Sequence, residues 1–65
     1  MGNTILVIEG QPIFREALCL ILKAMLMGST LIAVGYAKDG LRIAEKTPDI
    51  RMVVLDNMSI GLNGV

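Results

Sequence analysis

Three short runs of mostly apolar residues, at positions 5–8, 31–36 and 52–55, are the clearest pattern along the chain. Continuous apolar runs of this length are typical of strands that are buried on both faces, as the strands of parallel sheets are. Gly35 weakens the second run and indicates an edge position or the close approach of another backbone. The pattern therefore predicts three strands, of which the first and third are apolar throughout.

A first helix is predicted between the first two strands, over residues 12–27. Pro12 is suited to the first helical position, and apolar residues recur at helical spacing over more than half of the circumference. Gly28 is a typical carboxyl-terminal cap. Cys19 lies within this helix, where we expect it to be a small buried hydrophobic side chain rather than a redox centre.

A second, shorter helix is predicted over residues 40–46. Asp39 is suited to the N-cap position in front of it, and Pro48 ends it. The resulting order of elements is strand, helix, strand, helix, strand. This order predicts an α/β fold with a parallel sheet, right-handed crossovers and helices packed against the faces of the sheet.

Acidic residues follow two of the predicted strands. Glu9 comes directly after the first strand and Asp56 directly after the third. In parallel sheets, functional groups collect at the carboxyl ends of the strands, near the point where the strand order reverses. If the first and third strands are neighbours, the two carboxylates lie side by side at one edge of the sheet.

The composition excludes several classes of protein. Six basic and six acidic residues give a net charge of zero, which leaves no basic surface for nucleic acid or for an anionic membrane. One cysteine and no histidine exclude an internal disulfide and a Cys/His zinc site. The hydrophobic fraction of 54% excludes intrinsic disorder. Because a chain of 65 residues buries only a small core, we expect a partner chain to stabilise it.

A mean hydropathy of +0.67 raises the alternative of a membrane span at residues 17–37, where Lys23 is the only charge. The polar stretch 28–30 interrupts that segment, and Lys23 would be costly at depth in a bilayer. A signal peptide is not expected either, because residues 1–4 carry no basic flank and Glu9 interrupts the apolar run that follows.

Several segments resemble the amino-terminal half of response-regulator receiver domains, the CheY-like family, and among them those that carry a LuxR/NarL-type DNA-binding domain. The resemblance is carried by ILVIEGQPIFREAL at 5–18, AKDG at 37–40, PD at 48–49, VVLD at 53–56 and DNMSIGLNG at 56–64. Each motif is short, but all occur in register and in the right order. The resemblance implies a flavodoxin-like fold with strand order 2-1-3 and one helix on each face of the sheet.

The resemblance also implies a function in phosphorelay signalling, in the cytoplasm and not as an enzyme. Asp56 would accept a phosphoryl group from the histidine of a sensor kinase, and the complete protein would control transcription. Glu9, Asp56 and the backbone carbonyl of Met58 would hold Mg²⁺. This chemistry needs a carboxylate at a strand end, a second carboxylate for a hard cation and a further oxygen ligand.

The sequence departs from the family at three places. Gly10 stands where the family has a second acidic residue, which predicts weak Mg²⁺ binding and slow phosphoryl transfer. Ile60 stands where the family has a proline. In the family, a threonine or serine and a lysine contact the phosphoryl group. They belong to strands four and five, which residues 1–65 do not include. We therefore expect residues 1–65 to form a partial receiver domain that is inactive in phosphotransfer by itself.

Purely structural roles remain as alternatives for the two candidate carboxylates. Asp56 could be a carboxylate that begins a turn, and Glu9 a solvated side chain at the start of a loop. The chain as a whole could be a non-catalytic module for dimerisation or interaction. A third strand that is apolar on both faces and unpaired at one edge favours pairing with another chain. We therefore expect a homodimer in which two such edges meet antiparallel about a two-fold axis.

Overall fold

The computed structural model describes residues 2–55 of the chain. They form five elements in the predicted order. These are β1 (Thr4–Ile8), α1 (Pro12–Met25), β2 (Thr30–Val34), α2 (Ala37–Lys46) and β3 (Ile50–Leu55).

The three strands form one parallel sheet in the order β2-β1-β3. Ile8, at the end of the central strand, is the partner of Val34 on one side and of Leu55 on the other. This βαβαβ arrangement is that of a truncated flavodoxin-like fold, so the predicted fold class and strand order are confirmed.

The central strand is the most deeply buried part of the described chain. Every residue of β1 is buried, and the side chains of Ile5, Leu6 and Val7 are almost wholly inaccessible. Leu6 and Ile8 pack on one side of the sheet with Ala37 of α2. Because successive side chains of a strand point to opposite faces, Ile5 and Val7 lie on the other side, where α1 packs. The expected placement of one helix on each face is therefore confirmed.

The first helix ends two residues earlier than the sequence pattern predicts. Its last residue is Met25, and the backbone N–H of Leu26 closes it by donating to the carbonyl of Leu22. Gly28 follows with a φ of +90°, a left-handed conformation that favours glycine. The C-cap is therefore Leu26 and not Gly28 as predicted, and Gly28 lies in the turn that follows the helix. Within residues 2–55 no helix is long and apolar enough to cross a membrane.

The prediction that Asp39 is the N-cap of the second helix is wrong. The helix starts at Ala37, its N-cap is Tyr36 and that residue provides no capping side chain. Asp39 lies in the first turn instead. Packing explains the earlier start, because Ala37 is buried against the sheet and the N–H of Gly40 already donates to the carbonyl of Tyr36.

The strands also differ from the predicted bounds at their ends. β1 and β2 each begin one residue earlier, at Thr4 and Thr30, and β3 begins at Ile50 rather than at residue 52. The carbonyl of Asp49 accepts hydrogen bonds from the N–H groups of Asn3 and Thr4, which extends the pairing of β1 and β3 toward their amino ends. The second strand ends at Val34, two residues before its predicted end at residue 36, because it does not continue through Gly35.

The third strand remains largely uncovered. Both helices pack against β1 and β2. As a result, three apolar side chains of β3 are exposed: Met52, Val53 and Leu55. Because neighbouring residues of a strand point to opposite faces, this exposure means that both faces of β3 are uncovered. Among the described residues β3 is therefore an apolar edge strand, as the sequence predicts.

Candidate functional site

Glu9 lies at the carboxyl end of the central strand. Only 4% of its surface is exposed. Its backbone N–H donates to the carbonyl of Val34 at 3.0 Å, which continues the β1–β2 pairing by one residue. The alternative of a solvated side chain at a loop start is wrong, because Glu9 is buried.

The carboxylate of Glu9 lies in the turn that leads into α1. Its Oε2 atom accepts a hydrogen bond of 3.0 Å from the backbone N–H of Gln11, the N-cap residue of the helix. A negative charge is stabilised at a helix N-terminus, where backbone N–H groups have no partner within the helix. Within residues 2–55 the other oxygen, Oε1, accepts no hydrogen bond. One oxygen of the carboxylate thus organises the turn into α1.

Arg15 completes this turn and was not singled out by the sequence pattern. Its guanidinium Nη1 donates to the backbone carbonyl of Glu9 at 3.0 Å. A Cβ atom on Gly35 would lie 2.9 Å from the same Nη1, so the absence of a side chain there leaves room for the guanidinium. No signal in the sequence indicates this role, because only the structure shows that Arg15 lies on the partly buried side of the helix with Leu18 and Leu22.

Gly10 lies next to Glu9 and adds no oxygen ligand from a side chain. A Cβ atom at this position would meet the carbonyl oxygen of Gly35 at 3.6 Å, which is an ordinary van der Waals distance. Its φ is not positive, since within the described chain Gly28 is the only glycine with a positive φ. The backbone therefore has room for a side chain at position 10, so steric crowding does not explain why a carboxylate is missing there.

Two of the three expected metal ligands, Asp56 and the carbonyl of Met58, lie outside the described residues, as does Ile60. The register ends with Ile8 opposite Leu55. In the sequence, Glu9 directly follows Ile8 and Asp56 directly follows Leu55.

The donor set that residues 2–55 offer to a cation is small. In this part of the chain no group of three acidic or thiol side chains could hold a metal ion. Mg²⁺ prefers oxygen ligands and is commonly held by one or two carboxylates with water in the remaining positions. A carboxylate oxygen of Glu9 could occupy one such position, and Gly10 has no side chain that could supply another.

Cys19 is only partly buried, in contrast to the buried position expected for it. It lies in a shallow groove between α1 and β2. The groove is lined by Arg15, Glu16, Cys19, Leu20, Lys23 and Ala33.

The fold and the turn at Glu9 define a small α/β protein with a parallel sheet and an acidic residue at the end of its central strand. Comparisons of the chain with protein-family models, with curated proteins and with solved structures find no match.

Proposed function

We propose that the chain is part of a phosphorelay receiver domain, in which Asp56 accepts a phosphoryl group from a sensor histidine kinase. The observation that carries the proposal is the buried Glu9, which lies at the carboxyl end of the central strand with one carboxylate oxygen free of hydrogen bonds from the described residues. The strand order 2-1-3 and the likeness of the motifs to the family support it. We place the complete protein in the cytoplasm, as a regulator of transcription.

The reaction requires a nucleophile and a means of neutralising charge. A carboxylate oxygen of Asp56 would bond to phosphorus while the phosphorus–nitrogen bond to the kinase histidine breaks. The nitrogen keeps the electron pair and takes a proton. Bound Mg²⁺ would supply positive charge to the phosphoryl oxygens.

The contribution of Glu9 would be to hold the cation through its free oxygen, with Asp56 and the carbonyl of Met58 as the other protein ligands. Gln11 and Arg15 hold the turn through hydrogen bonds to the Oε2 atom and the carbonyl of Glu9. Gly10 offers no second carboxylate, and we expect weak cation binding and slow phosphoryl transfer for that reason.

The experiment compares the chain with its Gly10→Asp variant. Each protein is incubated with acetyl phosphate and Mg²⁺, and the intact mass is measured. We expect little or no phosphoryl addition to the unaltered chain and a larger but slow addition to Gly10→Asp, because the position has room for a side chain whereas residues 1–65 still do not include the threonine or serine and the lysine of strands four and five. We also expect Gly10→Asp to bind Mg²⁺ about tenfold more tightly, as one more carboxylate reaches the cation.

Two further variants make the result specific. In the Gly10→Asp background, Asp56→Asn should abolish the addition, and Glu9→Gln should reduce both the addition and the Mg²⁺ affinity. A phosphoryl group on a residue other than Asp56 would contradict the proposal. So would a folded Gly10→Asp protein that binds Mg²⁺ no better than the unaltered chain.

A second candidate function is that of a non-catalytic dimerisation module. The observation that favours it is the apolar edge strand, since Met52, Val53 and Leu55 are exposed in a strand that pairs on one side only. An unpaired edge of this kind favours pairing with another chain. We propose a homodimer in which two β3 edges pair antiparallel about a two-fold axis. Sedimentation equilibrium tests it, and a well-folded monomer at micromolar concentration would rule it out.

A further inference from the structure

The outward side of α1 carries an apolar stripe that nothing in the described chain covers. The sheet-facing side of the helix consists of partly buried residues, among them Leu18 and Leu22. The opposite side is exposed, with Ile13 at 79% and Leu20 at 70%. The stripe consists of Ile13, Ala17, Leu20 and Ala24.

The spacing within this outward stripe is four, three and four residues. This alternation is that of the apolar seam along which two helices pack together. Large and small side chains alternate along it, because Ile13 and Leu20 are separated by Ala17, and Ala24 follows. A polar surface would be expected here on a helix that faces only water.

The two flanks of the outward stripe differ in character. At helical spacing, Glu16 and Lys23 lie along one flank, which borders the groove beside β2. Phe14 and Ile21 lie along the other. All four of these side chains are exposed.

We propose that the outward stripe of α1 binds the same stripe on a second copy of the chain, as an antiparallel helix pair about a two-fold axis. In this arrangement Ile13 faces Ala24 of the other copy, and Ala17 faces its Leu20. Every layer then combines one large side chain with one small one, so that the two surfaces interdigitate.

The flanking residues support the same arrangement. When helices run antiparallel, each flank faces the equivalent flank of its partner. Glu16 then lies near Lys23 of the other copy, and the two-fold axis repeats this ion pair. Phe14 likewise lies near Ile21 of the other copy, so charged residues meet charged ones and apolar residues meet apolar ones.

A parallel helix pair fits the same residues poorly. Equivalent positions would meet, which places Ala17 against Ala17 and Leu20 against Leu20. Opposite flanks would also face each other, so Glu16 and Lys23 would lie against the apolar flank of the partner. The antiparallel arrangement alone combines opposite charges with a complementary shape.

The test exchanges the charges on the flank. Glu16→Lys and Lys23→Glu each replace two attractive contacts in the dimer by two repulsive ones. We expect each single variant to raise the dimer dissociation constant at least about tenfold. The double variant Glu16→Lys/Lys23→Glu restores opposite charges, and its dissociation constant should return to that of the unaltered chain. Sedimentation across a dilution series measures all four proteins.

A mixture of the two single variants gives a second, independent readout. One variant carries two lysines on the flank and the other two glutamates, so the mixture should form heterodimers preferentially. Both substituted residues are exposed, and circular dichroism should show the same helix content in every variant.

Three outcomes would overturn the proposal. The unaltered chain could remain monomeric at all concentrations, the single variants could associate as strongly as the unaltered chain, or the double variant could fail to recover. The proposal is separate from phosphoryl transfer at Asp56 and from pairing at the β3 edge. A residual association that the charge exchange does not affect would therefore be assigned to β3.

Discussion

Gly40 lies within α2, directly against the central strand of the sheet. A Cβ atom built on this glycine would come within 2.8 Å of Cγ1 of Ile8 and would also clash with its Cδ1. The absence of a side chain is therefore what allows α2 to pack this closely on β1, in the cluster that also contains Leu6 and Ala37.

Gly40→Ala should destabilise the chain for this reason. Alanine favours a helix interior over glycine by about 1 kcal/mol. Overpacking against a buried side chain costs about 1–3 kcal/mol, and we expect a net loss of about 1 kcal/mol. Urea denaturation measures the free energy of unfolding, and the exposed Ala44→Gly in the same helix is the matched control. A stabilised Gly40→Ala protein would show that Ile8 adjusts without cost.

Thr4 ties the amino end of β1 to the residue in front of β3. Its hydroxyl donates to both carboxylate oxygens of Asp49, at 3.0 Å each. Thr4 is buried, whereas Asp49 is exposed, so water can replace the hydroxyl at the carboxylate once the bond is lost.

We expect Thr4→Val to lower the free energy of unfolding by about 1 kcal/mol. A double-mutant cycle with Asp49→Ala should give a coupling energy of the same size, because both single changes remove one shared interaction. Denaturant titration of the four proteins measures this energy. Additive effects of the two substitutions would show that the bond contributes nothing to stability.

The two helices show how packing sets the bounds of an element. The sequence favours Asp39 as a cap, but the burial of Ala37 starts α2 two residues earlier and places Asp39 in its first turn. In that position its carboxylate stabilises the helix through the charge distribution of the backbone rather than through a capping hydrogen bond.

These two roles of Asp39 predict different effects for Asp39→Asn. As an N-cap, asparagine is as good as aspartate and the substitution would cost nothing. In the first turn it removes a favourable charge, and we expect a loss of about 0.5 kcal/mol that high salt abolishes. Thermal denaturation at low and high ionic strength distinguishes them. A loss that does not change with salt would contradict the first-turn role.

In the molecule as a whole, the apolar residues are distributed unevenly between a covered and an uncovered part. β1 is buried on both faces because the helices pack over it and over β2, whereas β3 is exposed at three of its apolar residues. Within residues 2–55 the high mean hydropathy thus reflects apolar residues that stay exposed on β3 and on the outward side of α1.

Val53→Lys should weaken self-association through β3. Val53 is 50% exposed at the open edge of the sheet, and a charge there would face its own copy across the two-fold axis. Leu41→Lys is the matched control, because Leu41 is also an exposed apolar residue but lies on α2, away from the β3 edge. Sedimentation should show less dimer for Val53→Lys and no change for Leu41→Lys. Equal effects of both would mean that general solubility, and not the β3 edge, controls association.

The pattern of apolar runs by itself determined the number and order of the elements, the parallel sheet and the position of Glu9 after the first strand. The elements follow from the local periodicity of apolar residues. The parallel sheet follows from the alternation of strands and helices, whose connections are short and right-handed. The likeness to receiver domains supplied the strand order 2-1-3, which the structure confirms. The roles of Asp56 and Met58 stay predictions from that likeness, because both residues lie outside the described part of the chain.

Only the tertiary structure decided what depends on contacts between distant residues. It buried Glu9 and paired its N–H with the carbonyl of Val34, and it brought Arg15 to the carbonyl of Glu9 in the space left by Gly35. It also determined that both helices cover β1 and β2 and leave β3 uncovered. Local sequence cannot specify these features, because each one depends on which parts of the chain meet when the sheet assembles.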